Sequence, residues 1–126
     1  MSRSRLFTRE TRLRRRSDFE YVRACGRSQA GRYCVVQVAP PRVGGRRMAV
    51  VVSRRFSLRA VQRNRARRLL RESYRLLLPE LSDCWMVLRP RAPIRRCKMP
   101  TVMREVGELG RRLGVIRSPS GTGQTC

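Results

Sequence analysis

Apolar positions change period along the chain, and the longest regular stretch is also the most basic. From Ala60 to Leu78 the sequence AVQRNRARRLLRESYRLLL has a helical period. On a helix, Ala66, Leu69, Leu70, Ser73 and Leu77 fall on one side, and Asn64, Arg67, Arg68, Arg71 and Arg75 on the other. Asn64, Arg68, Arg71 and Arg75 are spaced three and four apart, so they form one ridge. Glu72 is the only carboxylate in the segment. The pattern predicts a helix with one face for a core and the other for an anion.

Shorter blocks surround it. Ser17 with Glu20 has the form of a capping box, Phe19 and Val22 share a face, and Gly26 is a stop, which predicts a first helix. Tyr33–Ala39 (YCVVQVA), Met48–Ser53 (MAVVVS) and Cys84–Leu88 (CWMVL) read as strands. The first two are expected to pair as an antiparallel hairpin across the loop containing Gly44 and Gly45. Ser57 is expected to cap the arginine helix and Pro79 to stop it. A loop with Arg95, Arg96 and Lys98 leads to a last helix from about Thr101 to Leu113, striped by Val102, Val106, Leu109 and Leu113. Gly107 and Gly110 in its interior cost about 1 kcal/mol each, so docking must hold it. The strand–helix–strand order around the arginines predicts a parallel pair within a mixed sheet, with a right-handed crossover as the default. Residues 1–16 read as a basic flexible arm, 17–116 as one domain and 117–126 as a disordered tail.

Charge narrows the choice of partner. A formal net charge of +23, from 31 basic and 8 acidic residues, opposes compaction unless a polyanion is near. Nucleic acid is the first candidate and an anionic membrane the second. All the basic residues except Lys98 are arginine, whose guanidinium grips phosphate bidentately and stacks on bases. A face kept only for solubility would mix in glutamate, because like charges four apart repel. No apolar run reaches membrane length and no secretory segment follows MSRSRLFTRETRLRRR, so a cytoplasmic protein with no membrane association is expected.

Candidate chemistry is sparse. The five cysteines include no CxxC pair, which points to reduced thiols. There is no histidine, which removes His-dependent phosphodiester cleavage, His-ligated zinc and Ser-His or Cys-His nucleophiles. The acids form no metal-binding pair: capping accounts for Asp18 and Glu20, and a helix surface for Glu105 and Glu108. No catalytic constellation is expected in this chain. Phe19 and Tyr33 lie on elements that could line one sheet face, where single-stranded RNA stacks on aromatic rings.

The stretch SRRFSLRAVQRNRARRLLRESYR resembles the signature of the bacterial ribonuclease P protein family. The matching residues are Ser53-Arg54-Arg55, Ala60-Val61, Arg63-Asn64-Arg65, Arg67-Arg68 and Arg71-Glu72, with Asp18-Phe19 after a basic arm. Ser57 stands where the family usually has glycine, and the connector to Arg63 is one residue longer. The resemblance implies an α+β sandwich. Its mixed sheet has about four strands with three helices and an unusual left-handed β-α-β crossover through the arginine helix. It implies 5′ maturation of precursor tRNA, with hydrolysis by an RNA subunit and magnesium bound mainly by that RNA. It further implies that Arg54, Arg55, Arg63, Asn64, Arg65, Arg67, Arg68 and Arg71 contact the ribonuclease P RNA. Phe19, Tyr33, Val35 and Gln37 would line a cleft for the single-stranded 5′ leader, and no protein partner would be required. A structural RNA-binding protein, such as a ribosomal protein or RNA chaperone, would explain the charge equally well but not the Arg-Asn-Arg block. A basic-helix DNA binder would need heptads or a helix-turn-helix pair that the chain lacks.

Overall fold

The computed structural model describes residues 12, 13, 15–42 and 45–116. In chain order the elements are α1 (Arg16–Cys25), β1 (Arg27–Ala30), β2 (Cys34–Ala39), β3 (Arg47–Val50), α2 (Ala60–Leu77), β4 (Trp85–Pro90) and α3 (Met99–Arg112). Single 3₁₀ turns occur at Leu78–Glu80 and Ala92–Arg96. Three helices and a four-stranded mixed sheet make this an α+β fold.

The strands are ordered β1-β2-β4-β3. β4 is antiparallel to β2, with Val36 opposite Leu88, and parallel to β3, with Met48 opposite Met86. The expected parallel pair around the arginine helix is present. The expected hairpin between the second and third strands is not, because β4 lies between them. The reason is visible in the burial of β4: Trp85, Met86, Val87 and Leu88 are all buried, so this strand needs cover on both faces and both edges. β1 has no counterpart among the predicted strands. Its sequence, RSQA, is short and mostly exposed, and its pairing with β2 supplies what its own pattern lacks.

Even-numbered strand residues (Cys34, Val36, Val38, Met48, Met86 and Leu88) face α2 and α3. Ala66, Leu70, Tyr74 and Leu77 of α2, and Val102, Val106 and Leu109 of α3, close that core. Burial of one such leucine contributes about 1.5–3 kcal/mol. Gly110 of α3 leaves room for Ile116, which folds back against the helix at that point. On the opposite face, Ala39, Trp85 and Val87 pack with Val22 of α1 and with Leu13. Tyr21 meets Trp85 edge-on at 5.7 Å between ring centroids, and its hydroxyl donates to Pro40 O at 2.7 Å.

Three local expectations are corrected. The N-cap of α1 is Arg15 rather than Ser17 and has no side-chain cap. Ser17 sits inside the first turn, and Glu20 pairs instead with Arg16 at 3.4 Å. Ser57 does not cap α2, whose N-cap is Arg59. Its hydroxyl accepts from Arg59 N at 3.1 Å and donates to Gln62 Oε1 at 2.6 Å, which fixes the connector from inside. Leu13, placed by sequence in the flexible arm, is buried, and its N–H donates to Met48 O at 3.0 Å. The rest of the basic arm up to residue 11 and the tail from 117 lie outside the described residues. Gly26 ends α1 with an extended backbone, not a left-handed one. A side chain there would collide with the carbonyls of Val22 and Val38, so glycine lets α1 turn directly into β1.

Candidate nucleic-acid interface

The arginine helix presents the two faces its period predicts. Ala66, Leu70, Ser73 and Leu77 are buried, whereas Asn64 and Arg68 are exposed and Arg67 and Arg71 half-buried. Arg67 donates to Asn64 Oδ1 at 2.7 Å. Burial lowers the pKa of Arg71, and the neighbouring Arg12 and Arg67 guanidiniums lower it further. Arg12 reaches this cluster because its backbone bridges to Met48 at the edge of β3. Like charges gathered this closely are relieved by an anion. Arg75 is different. It ion-pairs with Glu72, which lowers the Glu72 pKa and raises that of Arg75. The ridge therefore ends in a neutralised pair, and the cationic surface runs through Asn64, Arg67, Arg68, Arg71 and Arg12.

The remaining residues of the basic signature divide. Arg54 and Arg55 are exposed in the turn after β3. Arg63 donates to Ser57 O at 3.0 Å, so part of its guanidinium holds the connector. Arg65 points to the other flank of α2. Its guanidinium donates to Cys97 O at 2.6 Å, Arg95 O at 3.3 Å and Ile94 O at 3.5 Å. These carbonyls belong to the 3₁₀ turn before α3, so Arg65 is a strut of the fold as it stands. Leu58 and Val61, 81% and 78% exposed, flank the start of α2.

A second surface lies on the α1 side of the sheet. Phe19 is half-buried against the Val22–Trp85 cluster. Val35 and Gln37 are half-buried on β2 and share the face of Ala39. Arg89 of β4 donates to Gln37 Oε1. The alternation Trp85, Val87, Arg89 could have placed Arg89 on this face from sequence, since the three share one side of a strand. Tyr33 is not brought together with these residues. It precedes β2 and packs against the α2–α3 core.

The reason Tyr33 turns away is Glu105 of α3. Its carboxylate accepts the backbone N–H groups of Arg32 (3.0 Å), Tyr33 (2.8 Å) and Cys34 (2.9 Å). Gly31 allows this approach, because a side chain there would meet the carboxylate at 2.5–2.8 Å. A residue expected only to decorate a helix surface thus clamps the β1–β2 turn. Burial, reinforced by Glu105, pushes the Cys34 thiol well above its usual range, and burial pushes Cys84 up to about 12. Neither thiol is poised as a nucleophile. Among the described residues no three His, Cys, Asp or Glu side chains converge as a metal site. No helix among them is long and apolar enough to cross a membrane.

Comparison with known proteins gives one answer. The Ribonuclease P family model matches residues 7–114. A ribonuclease P protein component from Chloroflexus aggregans is 47% identical over 80 residues, covering 64% of this chain and 58% of that protein. One from Chlamydia muridarum is 34% identical over 84 residues, covering 66% of this chain and 70% of that protein. The matched stretch spans less than two thirds of the length of the Chloroflexus relatives. In structure, the RNase P protein from Thermotoga maritima superposes with a TM-score of 0.69 at 29% identity, covering 79% of this chain and 96% of that one. The Staphylococcus aureus RNase P protein shares the fold, with a TM-score of 0.75 at 20% identity over 85% of this chain and 98% of that one.

Proposed function

This chain belongs to the ribonuclease P protein family, and from that premise we propose that it is the protein subunit of a ribonuclease P that removes the 5′ leader of precursor tRNA. The observation that carries the reading is the one-signed face of α2. Asn64, Arg67, Arg68 and Arg71, joined by Arg12, form a cationic surface whose only helical carboxylate is occupied by Arg75.

That face docks the ribonuclease P RNA, with Arg54 and Arg55 extending it. Arg63 contributes what its bond to Ser57 leaves over, and Arg65 acts indirectly by bracing the 3₁₀ turn. For the crossover from β3 through α2 to β4, membership of the family implies a left-handed sense. Phe19, Val35, Gln37 and Arg89 hold the single-stranded leader on the α1 side, the ring by stacking and the polar groups by hydrogen bonds. Tyr33 is left out of this cleft because its ring packs on the opposite side of the sheet. Hydrolysis belongs to the RNA, with magnesium held mainly by the RNA. The protein's own residues neutralise phosphate repulsion between two RNAs and orient the leader. The reading places the protein in the cytoplasm.

The experiment is to measure the affinity of the assembled holoenzyme for precursor tRNA and for tRNA lacking the leader. The unmodified protein should favour the leader-bearing substrate. Phe19→Ala should remove about tenfold of that preference, the loss of one stacked base, and leave leaderless tRNA unaffected. A structural RNA-binding protein would show no leader preference. Equal loss on both substrates would contradict a separate leader cleft.

A further inference from the structure

The displaced Tyr33 does not stand alone. It lines a groove of about 920 Å³ together with Arg32, Gln62, Pro93, Arg95 and Arg96. That is within the range of roughly 300–1,000 Å³ typical of ligand sites. The groove lies on the flank of α2 marked by Arg65, away from the Arg67–Arg71–Arg12 cluster, and on the α2–α3 side of the sheet rather than the α1 side. No carboxylate lines it. Arg32, Arg95 and Arg96 are exposed.

Its walls are built in advance. Arg65 ties down the carbonyls of Ile94, Arg95 and Cys97, and Ile94 is fully buried, so the 3₁₀ turn carrying Arg95 and Arg96 is fixed. Glu105 fixes the opposite wall by holding the backbone of Arg32 and Tyr33. Two guanidiniums are already stacked on rings: Arg95 lies 5.5 Å from the Phe56 centroid and Arg32 lies 6.0 Å from that of Tyr33. Gln62 accepts from Ser57 through Oε1, which orients its amide NH₂ for a further acceptor.

We propose that this groove is a second binding site for single-stranded RNA, with Arg32, Arg95 and Arg96 on consecutive phosphates and Tyr33 against a base. Three cations fix an anionic ligand, and a half-buried ring between them favours an anion that carries flat apolar groups. A nucleotide chain meets both demands, whereas an acidic peptide meets only the first. The inference rests on the chain being an RNA binder, but not on its part in tRNA maturation.

The test uses the full-length protein without an RNA subunit, and an oligouridylate containing 4-thiouridine as the probe. Irradiation should cross-link the probe to the peptide containing Tyr33, and Phe19→Ala should leave that cross-link in place. Arg95→Gln with Arg96→Gln should weaken binding by about tenfold and lower the slope of log affinity against log salt by about 1.4, the loss of two single-strand phosphate contacts. The control, Arg16→Gln with Arg112→Gln, removes the same charge from two exposed surface ion pairs. Cross-links confined to the Phe19 face would overturn the proposal, as would equal weakening by the two double variants, or tighter binding of a polyglutamate than of the oligouridylate. Stimulation of precursor-tRNA cleavage by the unmodified protein is measured separately, so failure of the groove is distinguishable from failure of the ribonuclease P reading.

Discussion

Replacing Arg67, Arg68 and Arg71 together by alanine should weaken binding of the ribonuclease P RNA by on the order of 10²- to 10³-fold near 0.1 M salt. The slope of log affinity against log salt should fall by about 2.7, since each lost phosphate contact removes about 0.9. These side chains line the outward face of α2 and its β3 flank, and Arg71 already has the Arg12 and Arg67 charges against it. In the free protein that crowding is unfavourable, and an RNA phosphate turns it into attraction. The variant should fold, because none of the three belongs to the α2–α3 core. Arg65→Ala is the informative contrast. Its guanidinium is engaged with three backbone carbonyls, so its loss should lower thermal stability and change the salt slope little. Filter binding across a salt series separates the two outcomes. A salt slope unchanged in the triple variant would mean that α2 does not meet phosphate.

Glu105→Ala should cost about 3 kcal/mol of folding stability, a drop of roughly 10–20 °C in Tm. Three backbone N–H groups converge on this carboxylate, and its removal leaves them without their acceptor beside the buried Cys34. Hydrogen bonds to a charged acceptor are the stronger kind, and the cost of orphaned donors adds to their loss. Glu105→Gln should recover part of the stability, because one carbonyl oxygen remains while the amide nitrogen faces the other donors. Thermal denaturation followed by circular dichroism reads both variants. An unchanged Tm in Glu105→Ala would show that the β1–β2 turn holds without the clamp.

How much of this was legible in the sequence depends on the range of the interaction concerned. The apolar stripe of α2 repeats within one helix, so Ala66, Leu70 and Leu77 were assigned correctly to the core. The stripe of α3, Val102, Val106 and Leu109, was legible for the same reason. Strand order was not. Nothing local in YCVVQVA and MAVVVS says that CWMVL will lie between them, because that choice follows from the burial needs of a third strand further along the chain. β1 was missed because RSQA has no apolar alternation and owes its structure to β2.

The site shows the same division. The one-signed ridge was readable, but arginine serves both phosphate and carbonyl acceptors, and composition does not say which. Arg65 and Arg75 look like Arg68 in the sequence, yet they are committed to backbone carbonyls and to Glu72. The family resemblance groups Tyr33 with Val35 and Gln37 in one cleft. It falls outside β2, where the Glu105 clamp rather than the pleat sets the direction of the chain. Leu13 offered one apolar position in a basic run, too little for any periodic signal, although its burial brings Arg12 to Arg71.

The measurement that bears most directly on the central claim is the rate of precursor-tRNA cleavage by the ribonuclease P RNA at low magnesium, with and without this protein. The protein is expected to stimulate cleavage well above the RNA alone and to yield the mature 5′ end. A rate equal to that of the RNA alone, under conditions where the protein is folded and in excess, would contradict it.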